Sequence, residues 1–70
     1  MTEDIKINNS KYILDWNNGY ILIIDLDKSQ YIRFWIDDID KNIQDLLKNL
    51  LFKDIVESAL KDKYGIWKIL

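Results

Sequence analysis

Cysteine, histidine and proline are absent from this 70-residue chain, and glycine occurs only at Gly19 and Gly65. Without cysteine there is neither a disulfide framework nor a thiolate metal site, and without histidine no side chain has an unperturbed titration near neutrality. Neither a serine-histidine-acid nor a cysteine-histidine arrangement can be assembled within one chain. Two isolated glycines also exclude a glycine-rich anion cradle of dinucleotide or phosphate-loop spacing. No apolar run reaches the length of a membrane span. Glu3 and Asp4 stand where a secretory signal needs a basic start and an apolar run, so a cytoplasmic location is the expectation.

What is present argues for one modest core. A domain of this length buries only about 60% of the surface that its unfolded chain exposes, which leaves no room for two independent cores. The chain is 49% hydrophobic and 31% charged, with three tryptophans, four tyrosines and two phenylalanines, too aromatic for a disordered tail. Residues 1–70 are therefore expected to form a single small α+β domain, with residues 1–4 as a flexible polar tail. The net charge of −2 is spread as −3 over residues 1–27, zero over 28–52 and +1 over 53–70. That gradient is too shallow for a strong phosphate-binding surface and too weak for mimicry of DNA.

Period-two alternation dominates the first half. Ile5 and Ile7 begin an apolar alternation that Asn8, Asn9 and Ser10 interrupt, which reads as a bend or bulge. Lys11 to Trp16 is the first firm strand. Asn17, Asn18 and Gly19 form the strongest local turn signal, because asparagine and glycine tolerate positive φ. Tyr20 to Leu26 follows as a second strand, Asp27 to Gln30 as a polar connection, and Tyr31 to Ile36 as a third strand rich in aromatic and β-branched residues. The expected architecture is a three-stranded antiparallel meander followed by one bent helix or two short helices and a short C-terminal strand.

The helical part is legible from period 3.6. Asp37 or Asp38 suits an N-cap, after which Ile39, Ile43, Leu46, Leu47 and Leu50 form one stripe and Phe52, Ile55, Val56, Ala59 and Leu60 a second. At about 100° per residue the two stripes point almost opposite ways, so a bend or break is expected between Asn49 and Lys53. Gly65 is the expected stop, leaving Ile66 to Leu70 as a docked tail or a short strand. Trp67 is expected to anchor either that tail or an interface, with packing the favoured role.

Alternation divides the meander into two faces. Tyr12, Leu14, Trp16, Leu22, Ile24, Leu26, Ile32, Phe34 and Ile36 form an almost purely apolar set assigned to the core. The opposite face then carries Ile13, Ile21, Ile23, Tyr31 and Trp35, edged by Asp15, Asp25 and Arg33. These eight residues are the candidate partner-binding site, with Arg33 directing an acidic group and the apolar side chains supplying most of the contact.

Three functional classes compete for that patch. The leading one is a small non-catalytic protein-binding regulator that acts by steric occlusion of a larger protein. Abundant isoleucine, asparagine and lysine suggest an A·T-rich coding source. An inhibitor encoded by a phage or mobile element, a host-defence antagonist aimed at a bacterial defence or nucleic-acid-processing enzyme, fits that reading. The second class is a structural homodimer pairing through the same patch. Direct nucleic-acid binding by the aromatic and arginine face comes third, because Asp15 and Asp25 oppose the phosphate backbone. No enzymatic activity and no cofactor are expected. Ser10, Ser29 and Ser58 read as bend, turn and helix-surface residues, and Asp25 with Asp27, or Asp37 with Asp38 and Asp40, lacks the loop pattern of a cation site.

Overall fold

The structure is a computed structural model that describes residues 2–17, 19–38 and 52–70. A five-stranded antiparallel sheet is built in the order β1 Thr2–Ile7, β2 Ser10–Asn17, β3 Tyr20–Asp25, β4 Gln30–Trp35 and β5 Lys68–Ile69. A short 3-10 turn spans Ile36–Asp38, and helix α1 spans Phe52–Leu60. The expected α+β architecture, an antiparallel meander followed by helical packing and a short C-terminal strand, is the observed one, with one further strand, β1, added at the front. The first helical stripe from Ile39 to Leu50, and the bend expected between Asn49 and Lys53, fall on residues 39–51 outside the described residues.

The extra strand at the front arises from Asn8 and Asn9. Both adopt positive φ, 49° and 70°, the signature of a two-residue hairpin turn, and Ile7 pairs with Ser10 across them. The asparagine pair therefore joins two strands where a bend or bulge was expected. Residues 2–4, expected as a tail, belong to β1 and pair with Asp15, Ile13 and the residue between them. At the other end, Tyr31 pairs with Lys68 and Gln30 with Ile69.

Loop length then fixes which side of each strand faces inward. Asn17 pairs with Tyr20, so only positions 18 and 19 lie between paired residues, and Gly19 takes a φ of 93° in that turn. Every β2–β3 pair consequently joins an even-numbered residue to an odd one: Leu14 with Ile23, Trp16 with Ile21, Tyr12 with Asp25. A turn of Asn17, Asn18 and Gly19, as expected from the sequence, implies three intervening residues and the opposite parity. A one-residue difference in register reverses a whole strand. Ile21 and Ile23 are 0% exposed, while Leu22 and Ile24, expected in the core, lie half-buried on the other face.

The inner face is closed by α1 and the C-terminal tail. Ile5, Ile7, Tyr12, Leu14, Ile21, Ile23, Ile32 and Phe34 form the core with Ile55, Val56 and Ala59 of α1. Helical spacing at positions 52, 55, 56 and 59 explains this contact, because those side chains share one face. Phe52 lies tilted against Trp16 at 5.9 Å, and Tyr64 stacks on Phe34 at 4.5 Å. The Trp67 indole donates to the Ala59 carbonyl at 3.0 Å, so the tail is pinned to the end of the helix that it passes.

The helix stops before Gly65. The Asp62 amide donates to the Ala59 carbonyl at 3.0 Å and the Lys63 amide to the Ser58 carbonyl at 3.3 Å, a Schellman pair, with Asp62 in the left-handed region at φ 59°. Gly65, with φ 127°, turns the tail back toward β4 instead.

Burial of β3 gives a direct stability prediction. Ile23→Ala should lower the unfolding free energy by about 2–5 kcal/mol, as for other buried isoleucines, and Ile24→Ala by about 1 kcal/mol or less. Urea denaturation of both variants checks the register, and equal losses at the two positions would contradict it.

Candidate functional site

The eight expected contact residues divide between the two faces of the sheet. Ile21, Ile23 and Asp25 are buried inside, with Asp25 only 1% exposed, and are withdrawn from any contact surface. Ile13, Asp15, Tyr31, Arg33 and Trp35 lie on the outer face, where cross-strand pairing sets Tyr20, Leu22 and Ile24 among them. Those three were missed because β3 was read in the opposite phase. Loop length between Asn17 and Tyr20 was the signal that would have found them.

Asp25 carries structure on the inner side. Its Oδ1 accepts the Asp27 and Lys28 amides at 3.0 and 3.1 Å, and its Oδ2 accepts Gln30 Nε2 at 3.2 Å. These bonds fold residues 26–29 into a compact connection and satisfy the buried carboxylate. Tyr12 pairs directly with Asp25 across the strands. Burial raises the Tyr12 phenol above its ordinary value and the Asp25 charge adds to the rise, while a hydrogen bond with Ser10 opposes it. Among the described residues no three histidine, cysteine, aspartate or glutamate side chains converge as a metal-holding group.

On the outer face, polar and aromatic groups connect four strands. Thr2 Oγ1 donates to Asp15 Oδ1 at 3.3 Å, and Asn17 Nδ2 donates to both Asp15 Oδ2 at 2.8 Å and the Tyr20 hydroxyl at 3.1 Å. The Tyr20 ring meets Trp35 edge-on at 5.3 Å, and the Arg33 guanidinium carbon lies 5.9 Å from its centroid. Trp35 nevertheless remains 49% exposed. Beside this cluster, Tyr20, Leu22, Ile24, Tyr31, Arg33 and Leu70 line an open groove of about 330 Å³. The groups here can stack, hydrogen-bond and pair charge. Asp4 and Asp15 occupy the β1–β2 side together with Lys6 and Lys11 one row further on, and basic Arg33 and Lys68 the β4–β5 side.

Two outcomes follow for the inner polar group. Asp25→Ala should cost about 2–3 kcal/mol, because it strands two amides and an amide side chain, and Asp25→Asn less. Alkaline pH should also destabilise the fold through Tyr12. Its phenol ionises more readily in the unfolded chain, so its contribution is whole below about pH 10 and is lost as pH rises through the raised folded value. Urea unfolding at pH 9 and 11 should show a smaller alkaline loss in Tyr12→Phe than in wild type or Tyr31→Phe. An identical loss in all three would remove Tyr12 from the account.

Among the described residues no helix is long and apolar enough to cross a membrane. The sequence matches no protein-family model, and comparison with curated proteins and with solved structures likewise gave no match, so the chemistry of this face rests on its own residues.

Proposed function

We propose that this chain is a non-catalytic protein-binding module whose outer sheet face is its recognition surface. The observation that carries this reading is the half-exposed Trp35, held by Tyr20 beside Arg33 and flanked by the apolar groove of Leu22, Ile24 and Tyr31. Tryptophan, tyrosine and arginine are the residues that most often dominate protein interfaces, and a ring already fixed by its neighbour loses little freedom on binding. The mechanism that such a face supports is steric: it occupies a complementary surface and excludes competitors from it. Against nucleic acid stand Asp4 and Asp15, which interrupt the cations Lys6, Lys11, Arg33 and Lys68 of the same face.

Trp35→Ala should weaken partner binding by about 1–3 kcal/mol while lowering the unfolding free energy by only about 1 kcal/mol, the loss of its edge-on contact with Tyr20, since the ring is not in the core. Arg33→Glu should weaken it comparably where the partner presents a carboxylate. The immobilised chain, cross-linked to its contacts in native extract and compared with both folded variants, provides the measurement. Unchanged capture of every specific protein by both variants, or specific recovery of nucleic acid, would count against this surface.

A further inference from the structure

The outer face has an internal symmetry in its charges that identifies what it fits. Cross-strand pairing arranges it in rows, one running Thr2, Asp15, Leu22, Arg33 and the next Asp4, Ile13, Ile24, Tyr31, Lys68. In each row β3 supplies the apolar centre. Asp15 and Arg33 lie one strand to either side of it, and Asp4 and Lys68 two strands to either side. We propose that the occupant of this face is a second copy of the chain, packed face to face about a two-fold axis that runs along β3. This rests on the outer face being the recognition surface.

Rotation about that axis carries each residue to the mirror-related strand of its own row. Leu22 and Ile24 meet their own counterparts on the axis, Asp15 meets Arg33 of the second copy, and Asp4 meets Lys68. Each ionic contact occurs twice, as an isologous interface requires. Lys11 and Lys6, in the row of Leu26 and Ser29, face no cation: the backbone bonds Leu26 to Lys11 and Leu70 to Ser29 place Ser29 and Leu70 opposite them. An axis perpendicular to the strands satisfies fewer charges: set between the two rows it places Asp15 over Ile13 and Arg33 over Tyr31, and set along the second row it pairs Asp15 with Lys11 but stacks Asp4 and Lys68 on their own counterparts. Aligned sheets cross at about 30°, which displaces the inner Asp15–Arg33 contact by only a few ångströms, within side-chain reach.

Five strands about 4.8 Å apart and six residues long give a footprint of roughly 500 Å² per copy, near the lower limit for a specific interface. The dimer is therefore weak and concentration-dependent, and exchange of subunits is fast.

Charge reversal separates this arrangement from any other use of the face. By analytical ultracentrifugation, wild type should pass from monomer to dimer with concentration. Asp15→Arg and Arg33→Asp alone each create two like-charge contacts and should weaken self-association by about 10-fold or more. An equimolar mixture of the two variants should associate within about 3-fold of wild type, because the heterodimer regains both opposite-charge contacts. Asp4→Lys mixed with Lys68→Asp repeats the test at exposed positions where folding is not at stake. A wild type that stays monomeric to millimolar concentration, or dimers without rescue in either mixture, overturns the proposal. Monomeric wild type together with Trp35-dependent capture of another protein would do so while leaving the recognition surface standing. Dimers and capture both indifferent to Trp35→Ala would remove that surface as well.

Discussion

Asn17 faces Tyr20 across two intervening residues, and that spacing governs nearly everything that follows in the sheet. With two residues in the turn, odd positions of β3 align with even positions of β2, so Ile21 and Ile23 join Tyr12, Leu14 and Trp16 over the core. Leu22 and Ile24 are turned outward with Tyr20. The same parity passes through the four-residue connection to β4, where Asp25 pairs with Gln30 and Ile23 with Ile32. One added residue in the β2–β3 turn would expose the isoleucines of β3 and dismantle the outer face together with the core.

That register brings an aspartate into the interior, where an unsatisfied carboxylate would be costly. Two amides of the connection that delivers β4, and Gln30 Nε2 from the first residue of β4, satisfy it. Asp25 thus couples burial to turn geometry: the group that the register pulls inside is the one that closes the next connection. Tyr12, opposite it, packs its ring into the core and its phenol beside the charge, which links both hairpins to one polar point.

Alternation in β2 and β4 made their inward faces readable, and helical spacing from Phe52 to Ala59 did the same for the packed face of α1. Strand β3 resisted because Ile21, Leu22, Ile23 and Ile24 are all apolar, so period two carries no phase there. Asp25 and Leu26 then favoured the wrong phase, since a charged residue reads as outward and a leucine as inward. Leu26 is exposed and Asp25 buried because turn amides outweigh the usual preference. Of the expected contact residues, those on β2 and β4 stayed together, while those on β3 were exchanged for their neighbours. The strand before Ser10 was hidden by reading Asn8 and Asn9 as an interruption, although two adjacent residues that tolerate positive φ are also what a tight hairpin needs.

A sheet with one face packed under a helix ordinarily presents polar side chains on the other. Here the outward positions of β3 carry a tyrosine, a leucine and an isoleucine, and charge is displaced to the flanking strands, with opposite signs on opposite sides in the two rows through Leu22 and Ile24. The core does not require that distribution, since lysine or threonine at positions 22 and 24 would leave the inner face unchanged. An apolar centre between an acidic and a basic margin is more selective than an apolar patch alone, because wrong orientations bring like charges together. The face thus couples its apolar contact to an orientation, and the strand register places both within the same two rows of side chains.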